Sequence, residues 1–467
     1  MTTSTPKRIR FNAFTMCSPV HYSPGLWRHP RDNAVRYKDL SYWTELAKTL
    51  EAGLFDGIFF ADGIGVNDVF GGDYKAAVRH AAQVPKNDPL MLIAAMAAVT
   101  ENLGFCATAT MSYEPPFLLA RRLSTLDHLT RGRIGWNIVT GYYDSGARAM
   151  GHGGIASRDQ RYEAAEDYME LVYKLWEGSW EDGSVLLDQE TGFYADPDKV
   201  HRIRHDGPHF RCDAIHMSEP SPQRTPVLFQ AGSSDRGRDF AARHAECVFI
   251  GGPTPRTIAP IVADIRHRAV LAGRDQADIL FFMGLTVIVG HTAEEARAKF
   301  DEYAAYVNYE GALALFSGWT GIDFSGHDPD APLAASLNDA SSSSMIDSFT
   351  RIDPDRVWTL REVVAHNAIG GRGPVIIGDP ETVADEIEAW VRDTGIDGFN
   401  LAYAITPGGY REFIELVVPV LQRRGRFKTS YDPGTLREKL RGSGRRLLAD
   451  PHPGAGFRHL PTHINKD

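Results

Sequence analysis

Along this chain, short and nearly continuous apolar runs alternate with longer stretches whose apolar residues recur at spacings of three and four. The first kind predicts buried strands and the second amphipathic helices. The strand-like runs are RIRFNAFTM (8–16), GIFFAD (57–62), GFCATATM (104–111), GRIGWNIVT (132–140), PVLFQAG (226–232), CVFIGG (247–252), ILFFMGLTVIVG (279–290) and GFNLAYAI (398–405). Helical spacing covers 42–56, 88–103, 115–130, 234–245, 254–273, about 292–307, 379–395 and 410–425. Pro89 and Pro380 sit at first-turn positions, and Asp379 is the N-cap of its helix. Ser157 and Gln160 form a capping box, after which Tyr162, Ala165, Met169, Val172 and Trp176 keep helical spacing.

Eight strands separated mostly by helices predict parallel β/α units closed into an α/β (β/α)8 TIM barrel. A doubly wound open sheet is the alternative, but no G-x-G-x-x-G follows the first strand. A minimal barrel needs about 250 residues. In a single domain of 467 residues, the excess falls in insertions at about 178–225 and 300–372 and in an arm at 426–467. The first insertion reads as irregular, the second contains DASSSS (339–344), and the polar tail reads as an arm over the surface or a partner subunit.

Composition narrows the class. The formal charge is −10, apolar residues make up 43 %, and the only basic cluster is the mild LQRRGRFK near 425, which argues against nucleic acid as main partner. Cys17, Cys106, Cys212 and Cys247 form no C-x-x-C and read as free thiols. No stretch approaches the roughly 18 apolar residues of a membrane span, so a cytoplasmic protein without membrane contact is expected.

In such a barrel the active site lies at the C-terminal ends of the strands. The polar residues there are Asp62, Thr108, Thr110, Asn137, Thr140 and the AGSSDRG turn. Asn137 and Thr140 interrupt an apolar strand, so hydrogen bonding to a ligand is their expected use. Gly232, Ser233 and Ser234 run into a helix N-terminus, which offers free N–H groups to a phosphate. The plainer reading is that Ser234 or Asp235 caps that helix. A ligand with a phosphate at one end and a flat polar body at the other fits. Flavin mononucleotide (FMN) matches, and so does a phosphorylated sugar. His201, His205 and His209 recur every fourth residue, but Gly207 and Pro208 interrupt the helix a metal site would need, and no metal is expected.

These residues, with NAFTMCSPVHYSPGLWRHP (12–30), FFAD (59–62), GRIGWNIVT (132–140), RYEAAEDYMELVYKLWEGSW (161–180), GPHF (207–210), PSPQRTPVLFQAGSS (220–234) and FSGWTGIDFS (316–325), resemble the bacterial-luciferase-like flavin monooxygenases. The similarity is to the branch of nitrilotriacetate, dibenzothiophene-sulfone and long-chain alkane monooxygenases. The resemblance implies that FMNH2 arrives from a separate NAD(P)H:flavin reductase, reacts with O2 to a flavin peroxide, and oxygenates a small organic substrate. It implies that Asp62, Thr108 and Asn137 line the isoalloxazine. Thr140, Tyr162, Gly232, Ser233 and Ser234 would then lie towards the ribityl chain and phosphate. Arg158 stands where the family often has histidine and is a further phosphate contact. His21 is the catalytic candidate, donating to the peroxide or substrate; alternatively it is a structural histidine near Trp27. Cys17 is displaced by one from the cysteine of the alkane-oxidising members and is not assigned a role. Trp319 belongs to an expected lid. A homodimer or homotetramer is implied. The competing readings are a deazaflavin-dependent oxidoreductase, a metal-dependent barrel hydrolase and a non-catalytic accessory subunit. For an anionic substrate, His201, Arg202, Arg204 and His205 are the candidate contacts.

Overall fold

The computed structural model describes residues 7–232, 234–336, Ile346, Phe349 and 356–459. Ser233 and the DASSSS stretch lie outside the described residues. Eight parallel strands form the centre: β1 (Arg10–Met16), β2 (Gly57–Ala61), β3 (Gly104–Thr110), β4 (Ile134–Val139), β5 (Val227–Gln230), β6 (Cys247–Ile250), β7 (Leu280–Val289) and β8 (Gly398–Ala402). Each pairs with its neighbours in sequence, β8 returns to β1 through Arg10↔Gly398, and β6 pairs with β7. The sheet therefore closes, as the eight apolar runs predict, and the open-sheet alternative is excluded.

Closure follows from the period-two alternation of strand side chains. On β4, Ile134, Trp136 and Ile138 join the cluster that packs the surrounding helices. Asn137 lies on the opposite face of the strand, level with Thr108 of β3 and Phe229 of β5. The barrel interior is an aromatic plug. Phe14, Phe59, Phe229, Phe249 and Phe282 meet with ring centroids 4.9–6.0 Å apart, mostly edge to face, the arrangement that ring quadrupoles favour.

The segment 178–225, read from sequence as irregular, contains two hairpins, Val185–Asp188 with Phe193–Ala195 and Ile203–Asp206 with Arg211–Ala214. The first, VLLD with FYA, is short and largely exposed, and the second, IRHD with RCDA, is mostly polar, so no long buried run marks them. Between β7 and β8 lie helices Ala293–Ala304, Tyr309–Thr320, Leu360–Ala368 and Pro380–Thr394. A short strand, Val375–Gly378, pairs with the distal half of β7 outside the barrel ring.

The polar tail does more than cover the surface. Leu436 and Leu440 join the barrel-interior cluster with Val227, Cys247 and Leu280. Arg437 is fully buried, paired with Glu246 at 2.7 Å, and donates to the carbonyls of Gln223, Thr225 and Pro226. Burial alone would raise Glu246, but Arg437 outweighs it and holds the carboxyl at about 2. The tail thus closes the end of the barrel at which the strands begin.

Candidate functional site

At the opposite end, where the strands finish, the sequence-predicted residues gather in two groups. The first surrounds the turn after β5. The Ser234 hydroxyl accepts from the Gly237 N–H at 3.2 Å and so caps helix Asp235–His244, as the plainer reading held. The cap leaves the first N–H groups of that helix and its positive dipole end facing the Gly232 turn. A Cβ on Gly232 would lie 3.0 Å from the Tyr162 hydroxyl and would collide with the Gln230 side-chain amide. Gln230 Oε1 is buried with no partner. A glycine-lined turn and a phenol at a helix N-terminus form a cradle that fits a phosphate.

Arg158 opens helix Arg158–Tyr173 and is exposed. Arg161, almost a turn further on, reaches the loop after β4, donating to the carbonyls of Gly141 and Thr140. Sequence reasoning passed over Arg161, because position 158 drew attention through its alignment with the family's histidine. Thr140 is half-buried, and its carbonyl also accepts from the Ser112 hydroxyl at 2.7 Å.

The second group lies above the aromatic plug. The Thr108 hydroxyl donates to the Phe60 carbonyl at 2.7 Å, and Asn137 Nδ2 donates to Thr108 Oγ at 2.9 Å. Asn137 Oδ1 is left buried and unpartnered. His21 packs flat on Tyr22, with ring centroids 4.0 Å apart, and edge-on to Phe14 at 4.5 Å. Trp27, its expected neighbour, is instead partly exposed at the surface. Both His21 ring nitrogens are buried without a partner. Burial pushes its pKa down to about 3, so the ring is neutral and offers one donor and one acceptor.

Asp62 is half-buried just past β2, and its Oδ1 accepts from the Gly63 N–H at 2.8 Å. Burial raises its pKa against the opposing pull of Lys86. Lys86, Gln83 and Tyr143 stand in the same neighbourhood and were missed by sequence reasoning. They lie on connecting segments with no periodicity, and only folding brings them to the mouth. The Tyr143 hydroxyl donates to Gln83 Oε1 at 3.2 Å, and Gln83 Nε2 donates to the His21 carbonyl at 2.8 Å. Trp319, at the end of helix Tyr309–Thr320, meets Tyr22 edge-on at 5.6 Å.

Other candidates are engaged elsewhere. His201 pairs with Glu181 at 2.6 Å and His205 with Asp167 at 2.8 Å, while the His209 N–H donates to Asp167. These histidines span a hairpin rather than a helix face. Arg202 pairs with Asp213 at 2.5 Å. Three of the four side chains proposed for an anionic substrate are thus already paired with carboxylates, His201 and Arg202 with Glu181 and Asp213 of the insertion and His205 with Asp167. The Cys17 thiol points at the Tyr37 carbonyl, 3.7 Å away, and burial pushes its pKa up to about 12. It stays protonated and is a poor nucleophile.

Together these groups fit a flat, polar ligand with a phosphate at one end, and no activated nucleophile stands beside them among the described residues. The chain belongs to the luciferase-like monooxygenases, whose family profile matches residues 17–398. It is 51 % identical to the dimethyl-sulfide monooxygenase of Hyphomicrobium sulfonivorans, over 97 % of this chain and 94 % of that protein. It is 46 % identical to the long-chain alkane monooxygenase of Geobacillus thermodenitrificans, over 98 % and 100 %. The crystal structure of a riboflavin lyase with modified FMN and riboflavin superposes with a TM-score of 0.90 at 39 % identity, covering 97 % of this chain and 100 % of that one. The reaction is accordingly a flavin-dependent monooxygenation, and neither the deazaflavin nor the hydrolase reading is favoured. Among the described residues, no helix is long and apolar enough to cross a membrane.

Proposed function

We propose that this chain is the oxygenase of a two-component system. It takes FMNH2 from a separate NAD(P)H:flavin reductase and uses O2 to oxygenate a small, uncharged organic substrate. The observation that carries the reading is the single free orientation of Asn137. Its carbonyl faces the mouth and asks for an N–H donor, which the edge of a flavin ring supplies. When bound, reduced flavin supplies the two electrons that let O2 deliver one oxygen atom to substrate and the other to water.

The chain's own residues do the rest. Gly232, Ser234, Tyr162 and the adjoining helix N-terminus hold the phosphate, with Arg158 at its solvent side and Ser233, from its place in the sequence, as a further contact. Thr140 lies towards the ribityl chain. Asp62, Thr108 and Asn137 border the ring. Neutral His21 donates to the oxygen being transferred or to the substrate. Tyr22, Tyr142, Tyr143 and Trp319 line the mouth with aromatic surface, which favours an apolar substrate and keeps water away. Two relatives named for dimethyl sulfide and for long-chain alkanes agree with an uncharged substrate. The cytoplasm supplies NAD(P)H and suits an enzyme with four free thiols. A homodimer or homotetramer is the expected assembly, to be read by light scattering.

The test is an anaerobic titration with FMN and FMNH2, followed by turnover with a flavin reductase and a panel of thioethers and alkanes. Tighter binding of FMNH2 and oxygenated product support the reading. Failure to bind either flavin overturns it.

A further inference from the structure

Among the described residues, Lys86 is a cation at the mouth whose ammonium is buried without a hydrogen-bond partner. It sits on the loop between His80 and Asp88, which is pinned on both sides of it. Before it, Gln83 donates to the His21 carbonyl; after it, the Asn87 N–H donates to the Cys17 carbonyl at 2.8 Å. The loop carries two non-glycine residues in left-handed conformation, Ala81 (φ 53°) and Gln83 (φ 58°). Such backbone persists only where the surroundings enforce it.

The loop thus holds an ammonium whose hydrogen-bond donors find no partner among the described residues. Lys86 Nζ is shielded from solvent, has no hydrogen-bond partner, and lies 4.9 Å from the centre of the Tyr143 ring. All three of its donors are unspent. Asp62 is near enough to pull on it, but no ion pair joins them among the described residues. Burying an unpaired ammonium is costly, so a polar partner is expected to complete it. Asn137 Oδ1 and both His21 nitrogens, at the same mouth, are also unpaired.

We propose that Lys86 is the counter-charge that makes this protein prefer reduced over oxidised flavin. The inference rests on the flavin reading above. Oxidised flavin has a neutral ring. Reduced flavin loses its N1 proton near neutrality and spreads a negative charge over N1 and the adjoining carbonyl. A fixed ammonium beside the ring therefore stabilises one redox state and is almost indifferent to the other. Burial lowers the Lys86 pKa and Asp62 raises it, so an arriving anion strengthens its charged form.

The experiment compares wild type, Lys86→Met and Lys86→Arg in anaerobic titrations with FMN and FMNH2, and follows the absorbance of bound reduced flavin against pH. Cys17, His21, Tyr22, Asp62, Asp88, Tyr142, Tyr143 and Arg372, ionisable groups around this corner, are the same in all three proteins. Lys86→Met is expected to bind FMNH2 about tenfold or more weakly, the size of a lost charge-assisted hydrogen bond. Its FMN affinity should stay within about twofold, which also shows that the variant is folded. The pH at which bound reduced flavin takes up its N1 proton should rise, and Lys86→Arg should restore part of the preference. Equal weakening of both flavins, or a preference that survives in Lys86→Met, overturns the proposal. So does a loss confined to substrate affinity, which would make Lys86 a substrate contact. If wild type binds neither flavin, the parent reading falls instead.

Discussion

The side-chain amide of Asn137 is held in one orientation by Thr108. The Thr108 hydroxyl has one hydrogen and gives it to the Phe60 carbonyl, so it can only accept from Asn137. The amide must present Nδ2 to the threonine and Oδ1 to the mouth. Thr108→Val keeps the shape and removes the acceptor, leaving the amide free to turn over. Flavin affinity should fall about tenfold and stability by about 1–2 kcal/mol. Thr108→Ser should retain both. Flavin titration and thermal melts of the two variants separate the outcomes.

Gly232 leaves the space that a phosphate needs. Gly232→Ala would press on the Tyr162 hydroxyl and displace the Gln230 side chain. The variant should lose the advantage of reduced FMN over reduced riboflavin, by about tenfold or more, because only FMN carries the phosphate. Affinities for both flavins in both proteins test this. An unchanged ratio would move the phosphate away from this turn.

His21 stays neutral across the working range because burial pushes its pKa down to about 3. The pH profile of turnover between pH 5 and 8 should therefore contain no step from His21. His21→Phe keeps the stacking on Tyr22 and Phe14 but removes the donor. Turnover should fall by about 10²-fold or more with flavin binding nearly unchanged. A variant with full turnover would leave His21 a packing residue.

The tail is tested through its buried pair. Arg437→Met strands the Glu246 carboxylate, and losing one partner of a buried pair costs about 3–5 kcal/mol. Adding Glu246→Leu should recover much of that loss. The acid limb follows from the sign of the shift. Glu246 is depressed to about 2 in the folded chain from an ordinary 4.5, so the unfolded chain binds more protons between those values. Its stabilisation is complete above about pH 4.5 and disappears as pH falls towards 2. Melting curves from pH 7 to 3 for wild type and the double variant should converge at the acid end.

The eight barrel strands were legible because a strand buried on both faces must be apolar almost throughout. Asn137 stood out against that rule, and so did the helix-capping pair Ser157–Gln160, whose partners are three residues apart. Local signals carry such features without help from the rest of the chain. Ser234 was legible as a cap for the same reason. The hairpins of 185–214 were not, since their faces are mostly wet and need no apolar alternation. Helix Tyr309–Thr320 was hidden because most of its residues from Gly311 to Ser317 are buried, which removes the polar face that marks amphipathic spacing.

By itself, then, the order of residues determined the eight strands, the polar interruption of β4 and the glycine turn after β5, all of which rest on neighbours within a few residues. Tertiary structure alone decided which charges are buried and who neutralises them. Arg437 finds Glu246 from 191 positions away, and Lys86 comes to lie between Asp62 and Tyr143 without a hydrogen bond to either. The physical reason is that an ion's energy depends on what surrounds it in space, and that environment does not exist until distant segments have packed.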